Sequence, residues 1–213
     1  MRITSHAIGT AFVRVLPNGT VEVASMDYTK RGKTTRRLPM GKGKKTKRES
    51  LTETQIREAT QEAAKDPGHF TYEFEFKHLV FWDVVKDDKK PDEELHLKAF
   101  MVARVTEGEL RDFRHLDQEV NGDGKPVPEE EEILGPLFWY EIRELLNRMS
   151  EPGRGLYVHT TAVLATLCAL AGKYPTVAAR YGSIVDRPDV QARIKMSDLY
   201  RAEVAQYVQG LQA

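Results

Sequence analysis

Residues 38–65 read LPMGKGKKTKRESLTETQIREATQEAAK, and this stretch decides the fold. Its first half is cationic, and the glycines and proline of LPMGKGKK argue against regular structure. Its second half, LTETQIREATQEAAK, predicts a helix. Ser50 or Thr52 caps the start, with Glu53 behind Ser50 at capping-box spacing. Ile56, Ala59 and Ala63 fall at i, i+3 and i+7 and make a modest apolar stripe. Asp66-Pro67-Gly68 ends the helix.

This helix also carries the chemistry. Glu58 and Glu62 are four residues apart with Gln61 between them, so the three project from one side. With Glu49 just ahead of the helix they form an oxygen-rich set of the kind that suits Mg2+ or Mn2+. Arg57 adjoins Glu58, and a cationic loop leading into a helix start is a natural phosphate site. A divalent ion beside such a loop fits phosphoryl chemistry, with a nearby carboxylate as base. Acids at this spacing are also common on solvated helix faces, where Glu62 has Lys65 as a weak partner.

Upstream, IGTAFVRV, the turn PNGT and VEVAS predict a β-hairpin from about Ala7 to Ser25. Downstream, TYEFEFKHLVFWDVV and HLKAFMVARV read as two strands flanking the polar loop KDDKKPDEE. A long acidic loop, NGDGKPVPEEEE, follows. LFWYEIRELLNRM and YVHTTAVLATLCALAGKY read as helices, and a further helix is expected from about Val190 to Gln209, with Pro188-Asp189 marking its start. Strands followed by helices, without regular βαβ alternation, predict a mixed sheet packed by helices in the α/β (α+β) class.

The remaining composition mainly excludes. The 213 residues contain 32 Lys+Arg and 32 Asp+Glu, so the whole molecule is not a polyanion binder. The charge is segregated. Ten Lys/Arg and no acid lie between Lys30 and Arg48, and seven acids against one lysine lie from Asp117 to Glu132. Such blocks ordinarily lie on solvated loops. Cys168 is the only cysteine, which excludes a disulfide scaffold and reads as a buried thiol. The apolar run Ala162–Ala171 is about half of what a bilayer span needs, and the opening residues have no secretory pattern. Phe81, Trp82, Trp139 and Tyr140 read as core, and His159 as a packing residue on an apolar helix. Gly122-Asp123-Gly124-Lys125 reads as a turn.

The stretch from Gly43 to Lys65 resembles the Nudix box of the Nudix hydrolases. Gly43 is followed by five residues and Glu49, then by seven residues and Arg57-Glu58; Gln61 and Glu62 come next. Three positions depart from that pattern. Gln61 stands where the family has a ligand glutamate, Ala64 where it has glycine, and Lys65 where it has an apolar residue. If Gly41 is the matching glycine, the phosphate-facing loop is two residues longer. LPMG is similar to the LPKG opening of polyphosphate-cleaving members. IGTAFVRV and EEEILGPLFWYEIRELL resemble flanking parts of the family.

The resemblance implies a Nudix-like mixed sheet sandwiched by helices over residues 1–173, with a C-terminal helical extension over 174–213. It implies Glu58 and Glu62 as the main metal ligands, with Gln61 a weak or water-bridging one. Glu58 would serve as the base or lie next to it, Arg57 would orient the carboxylates, and Glu49 would assist from the helix entrance. Glu131 and Glu132 are candidates for a distal acid. Lys42, Gly43, Lys44, Lys45 and Lys47 would clamp phosphates, although the basic loop has no aromatics to stack on RNA bases. The implied activity is a Mg2+- (or Mn2+-) dependent pyrophosphohydrolase, cytoplasmic and without a membrane partner. Its substrate would be a nucleoside diphosphate derivative, with dinucleoside polyphosphates and nucleoside triphosphates first and RNA 5′ ends behind. The alternative is a weakened nucleotide-binding or sensor module. The C-terminal helices are candidates for a homodimer interface.

Overall fold

The computed structural model describes residues 2–30, 33–43, 49–63, 70–86, 94–108, 132–151, 157–195 and 200–212. Among them, eight strands form one mixed sheet: β1 Arg2–Val15, β2 Val21–Lys30, β3 Lys33–Arg37, β4 Met40–Lys42, β5 Phe70–Phe74, β6 Phe81–Lys86, β7 Glu94–Gly108 and β8 Glu132–Glu141. The helices are α1 Leu51–Ala63, α2 Ile142–Ser150, α3 Tyr157–Lys173, α4 Pro175–Val185, α5 Pro188–Ile194 and α6 Arg201–Gln212.

The spine of the sheet is the parallel pair β1–β7, which runs from Arg2↔Glu94 to Val13↔Arg104 with a register shift between Ile3 and Ser5. Parallel strands are stable when both faces are covered, and β1 is accordingly buried without a break from His6 to Val13. The expected hairpin is present, with Val13↔Val23 and Val15↔Val21 pairing antiparallel. Along β7 the side chains alternate between two cores. Leu95, Leu97, Ala99 and Met101 face a cluster that includes Leu51, Val204 and Tyr207. Phe100 and Val102 face the opposite cluster, built with Leu145, Leu167, Leu170, Val177 and Tyr181. Helices α1 and α6 therefore cover one face, and α2, α3 and α4 the other. Helix α3 is apolar around its circumference, and it is buried at every residue from Val158 to Leu167, as such a helix must be.

Four expectations need correction. The LPMG region is not free of regular structure: Met40–Lys42 pairs with Ala7–Gly9 as β4, and Lys33–Arg37 pairs with β2. A short edge strand tolerates glycine when its partner offers a ladder. TYEFEFKHLVFWDVV is two strands, because the chain leaves the β7 edge after Phe74 and rejoins it at Phe81. Glu75 turns inward at the break. Its carboxylate meets Lys173 Nζ and accepts from the Tyr174 hydroxyl at 2.5 Å.

LFWY is strand rather than helix. Trp139 pairs with Ala24 and Tyr140 with Val23, while Leu137 is buried and Phe138 exposed, the alternation of a strand. The helix begins only at Ile142, because Glu141 caps it by accepting from Arg143 N and Glu144 N at 3.0 and 3.3 Å. Finally, the helix expected from Val190 to Gln209 is two helices, α5 and α6, and α4 precedes them, with Pro175 in its first turn. Lys195 leaves helical geometry, and Tyr200 enters the second helix at φ 68°.

Candidate active site at the start of helix α1

Helix α1 starts as its sequence directs. Ser50 N donates to Glu53 Oε2 at 2.8 Å, and Glu53 N donates to Ser50 Oγ at 3.2 Å, a reciprocal capping box. The Ser50 N–H, and after it the Ser50 hydroxyl, hold the Glu53 carboxyl below its usual range. Glu49, one residue earlier, is thereby fixed at the mouth of the helix. Two turns along, Arg57 reaches back to it, with Nε donating to Oε1 and Nη2 to Oε2, both at 2.9 Å. The pair is bidentate and largely shielded, with side chains 11% (Glu49) and 20% (Arg57) exposed. Such forked pairs are directional as well as strong.

A second set of contacts, not legible in the sequence, backs this pair. Thr54, buried on the inner face of α1, lies 3.4 Å from Glu49 Oε2 and 2.8 Å from His6 Nε2. The other ring nitrogen of His6, Nδ1, lies 2.8 Å from the Tyr207 hydroxyl of α6. Burial, followed by the opposing influences of Glu49 and Arg57, lowers the His6 pKa and so favours the neutral ring. Burial also pushes the Tyr207 phenol up to about 12. One arrangement of protons satisfies every contact. A carboxylate only accepts, so the Thr54 hydroxyl donates to Glu49. Thr54 then accepts from His6 Nε2–H, and His6 Nδ1 accepts from the Tyr207 hydroxyl.

Gly43 closes the site from above. Its N–H donates to the His6 carbonyl at 3.0 Å, and a Cβ there would sit 2.2 Å from His6 Nε2. Only glycine lets the loop pass this close to the ring. Gln55, also buried, ties the same helix to β1 by donating to Thr10 Oγ1 at 2.9 Å.

Glu49, Arg57 and Gly43 thus come together. Helix α1 runs unbroken to Ala63, which places positions 58, 61 and 62 on consecutive turns beyond Arg57. The side chains of Glu58, Gln61, Glu62, Lys42 and Glu132 lie outside the described residues, as do Lys44, Lys45, Lys47 and Glu131 altogether. Glu132 opens β8, paired with Lys30. Among the described residues no cluster of three His, Cys, Asp or Glu side chains forms a metal site, and no helix is long and apolar enough to cross a membrane. The composition of α1 nevertheless fits a hard cation. It offers oxygen donors at 58, 61 and 62 and contains no sulfur or imidazole.

Two other groups serve structure. His159 is buried and accepts from Leu38 N at 3.3 Å; burial, with Arg37 and Lys98, lowers its pKa to about 3. Cys168, expected to be buried, is half-buried; burial first, then Asp186, raises its thiol to about 11, away from the lowered range of reactive cysteines.

No protein-family model and no curated protein matches the sequence. Solved structures do. The chain is similar to the NUDIX domain of Shewanella oneidensis NrtR, solved in complex with ADP ribose, at a TM-score of 0.50 and 10% identity, over 80% of this chain and 90% of that one. The chain has the Nudix fold. Two further similar structures are RenU, a Nudix hydrolase from M. smegmatis (TM-score 0.49, 15% identity, 82% and 91% covered), and a NUDIX hydrolase from Nitrosomonas europaea (0.47, 15%, 79% and 90%). The likeness concerns the Nudix fold, and the chemistry rests on this chain's own side chains.

Proposed function

We propose that the chain is a Mg2+- (or Mn2+-) dependent pyrophosphohydrolase acting on nucleoside diphosphate derivatives, with dinucleoside polyphosphates and nucleoside triphosphates as its first substrates. The observation that carries this reading is the shielded Glu49–Arg57 fork at the start of α1. It pins a carboxylate and a guanidinium where the loop meets the helix, beside positions 58, 61 and 62.

Glu58 and Glu62 would hold the ion, with the Gln61 carboxamide as a neutral third oxygen. When bound, a divalent ion neutralises charge that develops on phosphate oxygens. The other steps belong to the chain. Glu58 takes a proton from the attacking water as the new P–O bond forms and the anhydride oxygen departs. Arg57, already oriented by Glu49, directs its remaining N–H groups towards the acids of the same helix. Lys42, Lys44 and Lys45 hold the phosphate oxygens beside Gly43. Glu131 or Glu132 supplies the distal acid. The reading places the enzyme in the cytoplasm, with residues 1–173 as the hydrolase unit and 174–213 as an extension.

The test is phosphate or nucleotide release from a substrate panel with Mg2+, comparing the parent with Glu62→Gln. The panel contains dinucleoside polyphosphates, nucleoside triphosphates, ADP-ribose and triphosphorylated RNA. Metal-dependent turnover that falls at least a hundredfold in the variant supports the assignment. Equal turnover by both proteins overturns it.

A second reading is a nucleotide-binding sensor. Gln61 removes one charge from the ligand set, and the similar NrtR domain was solved with ADP ribose. Tight ADP-ribose binding in calorimetry without metal, together with no product, would favour it.

A further inference from the structure

We propose that Tyr207, on the last helix of the chain, is a positioning residue for the Glu49–Arg57 pair, acting through His6 and Thr54. The inference rests on the reading of that pair as part of the active site. It gives α6 a role that a peripheral helix would not have.

The hydrogen bonds from Tyr207 to Glu49 all run in one direction. Tyr207 O–H donates to His6 Nδ1, His6 Nε2–H donates to Thr54 Oγ1, and the Thr54 hydroxyl donates to Glu49 Oε2. The directions are fixed from the carboxylate end, where Glu49 can only accept, and His6 is the hinge because the two nitrogens of its neutral ring must play opposite parts. The chain crosses three elements, β1, α1 and α6, and ends on the carboxylate that holds Arg57. Tyr207 also meets the His6 ring edge-on, with centroids 5.8 Å apart at 64°.

Tyr207→Phe keeps this ring contact and removes one proton. Neither His6 tautomer is then satisfied. With Nε2–H retained, Nδ1 is a buried acceptor with no donor from Tyr207. With the proton moved to Nδ1, Thr54 must turn its hydroxyl towards Nε2 and withdraw it from Glu49. The variant therefore mixes the two tautomers and loosens Glu49. A purely structural tyrosine, held for its ring, would do neither.

The experiment has two independent readouts on the full-length protein. The first is 15N NMR of the imidazoles. The parent should show His6 as the neutral tautomer protonated at Nε2, and Tyr207→Phe should show a mixture. Faster amide exchange should appear across Thr54–Arg57 but not in β6. The second readout is steady-state kinetics on the best substrate of the panel. Tyr207→Phe should lower kcat about three- to tenfold with KM little changed, as expected for one hydrogen bond that acts through a positioned group. Gln206→Ala, on the exposed side of the same helix, should change neither readout. A parent His6 protonated at Nδ1, or a folded Tyr207→Phe with unchanged tautomer and unchanged exchange in α1, overturns the proposal. If no panel substrate is turned over, the hydrolase reading fails by itself, and the NMR and exchange results still decide whether Tyr207 orders the pair.

Discussion

Replacing Gly43 with alanine should destabilise the protein through a single side chain, that of His6. The added Cβ would lie 2.2 Å from Nε2, 2.4 Å from Cε1 and 2.8 Å from Cδ2. A relaxed contact needs about 3.5 Å, so ring or loop must give way by roughly 1 Å. The ring cannot swing aside freely, because both nitrogens are held at 2.8 Å, by Thr54 and by Tyr207. Overpacking costs about 1–3 kcal/mol, and breaking one of the two hydrogen bonds adds about 1, giving about 2–4 kcal/mol in all. In urea, with a slope of about 2–3 kcal/mol/M for a chain of this size, the midpoint should fall by about 1 M. The cause is isolated by a double-mutant cycle. His6→Ala removes the obstacle, so Gly43→Ala in that background should cost less than about 1 kcal/mol. A single variant within about 0.5 kcal/mol of the parent, or strict additivity with His6→Ala, would refute the packing argument.

Three further outcomes follow from individual contacts. Tyr181 is fully buried; its hydroxyl accepts from Val21 N at 3.1 Å and donates to Glu141 at 2.5 Å. Tyr181→Phe should cost about 1–2 kcal/mol in urea unfolding with an unchanged slope, and no loss would mean the hydroxyl is not engaged. Ser50→Ala removes one half of the capping box and should cost about 1 kcal/mol, read from the same transition. His159 titrates at about 3 in the fold against the usual 6.5, so below pH 6.5 the unfolded chain binds a proton that the folded one refuses. Stability should therefore fall as the pH drops from 6.5 towards 3, and His159→Gln should make that fall shallower by up to about 1.4 kcal/mol per pH unit; parallel curves for parent and variant would contradict the assignment.

What was legible in the sequence followed from local rules. The Ser50–Glu53 capping box, the turn at Asn18-Gly19 and the buried run of α3 each depend on neighbours in the chain, and each appears as read. The resemblance implies that Arg57 orients the carboxylates and that Glu49 assists from the helix entrance; the direct pairing of Arg57 with Glu49 is a finding of the structure. The misread strands share one physical origin, since pairing partners far along the chain override local preference, whereas the split of the expected C-terminal helix is local, at Lys195 and Tyr200. Met40–Lys42 becomes a strand because β1 offers Ala7–Gly9. LFWY is drawn into the sheet by β2 before Glu141 starts a helix. His6 and Tyr207 are 201 residues apart, and neither falls in a motif. Their meeting depends on where α6 docks, and no short-range pattern encodes that. Glu75 likewise looked like one more residue of an alternating strand. Its role depends on Lys173 and Tyr174, nearly a hundred residues later.

The most direct test of the central claim is manganese anomalous diffraction from crystals of the full chain soaked with Mn2+ and a non-hydrolysable nucleotide. The account predicts a peak about 2.1 Å from carboxylate oxygens of Glu58 and Glu62, with the nucleotide phosphates between that ion and Gly43. Nucleotide bound with no anomalous peak at α1, or manganese found only away from Glu58 and Glu62, would contradict it.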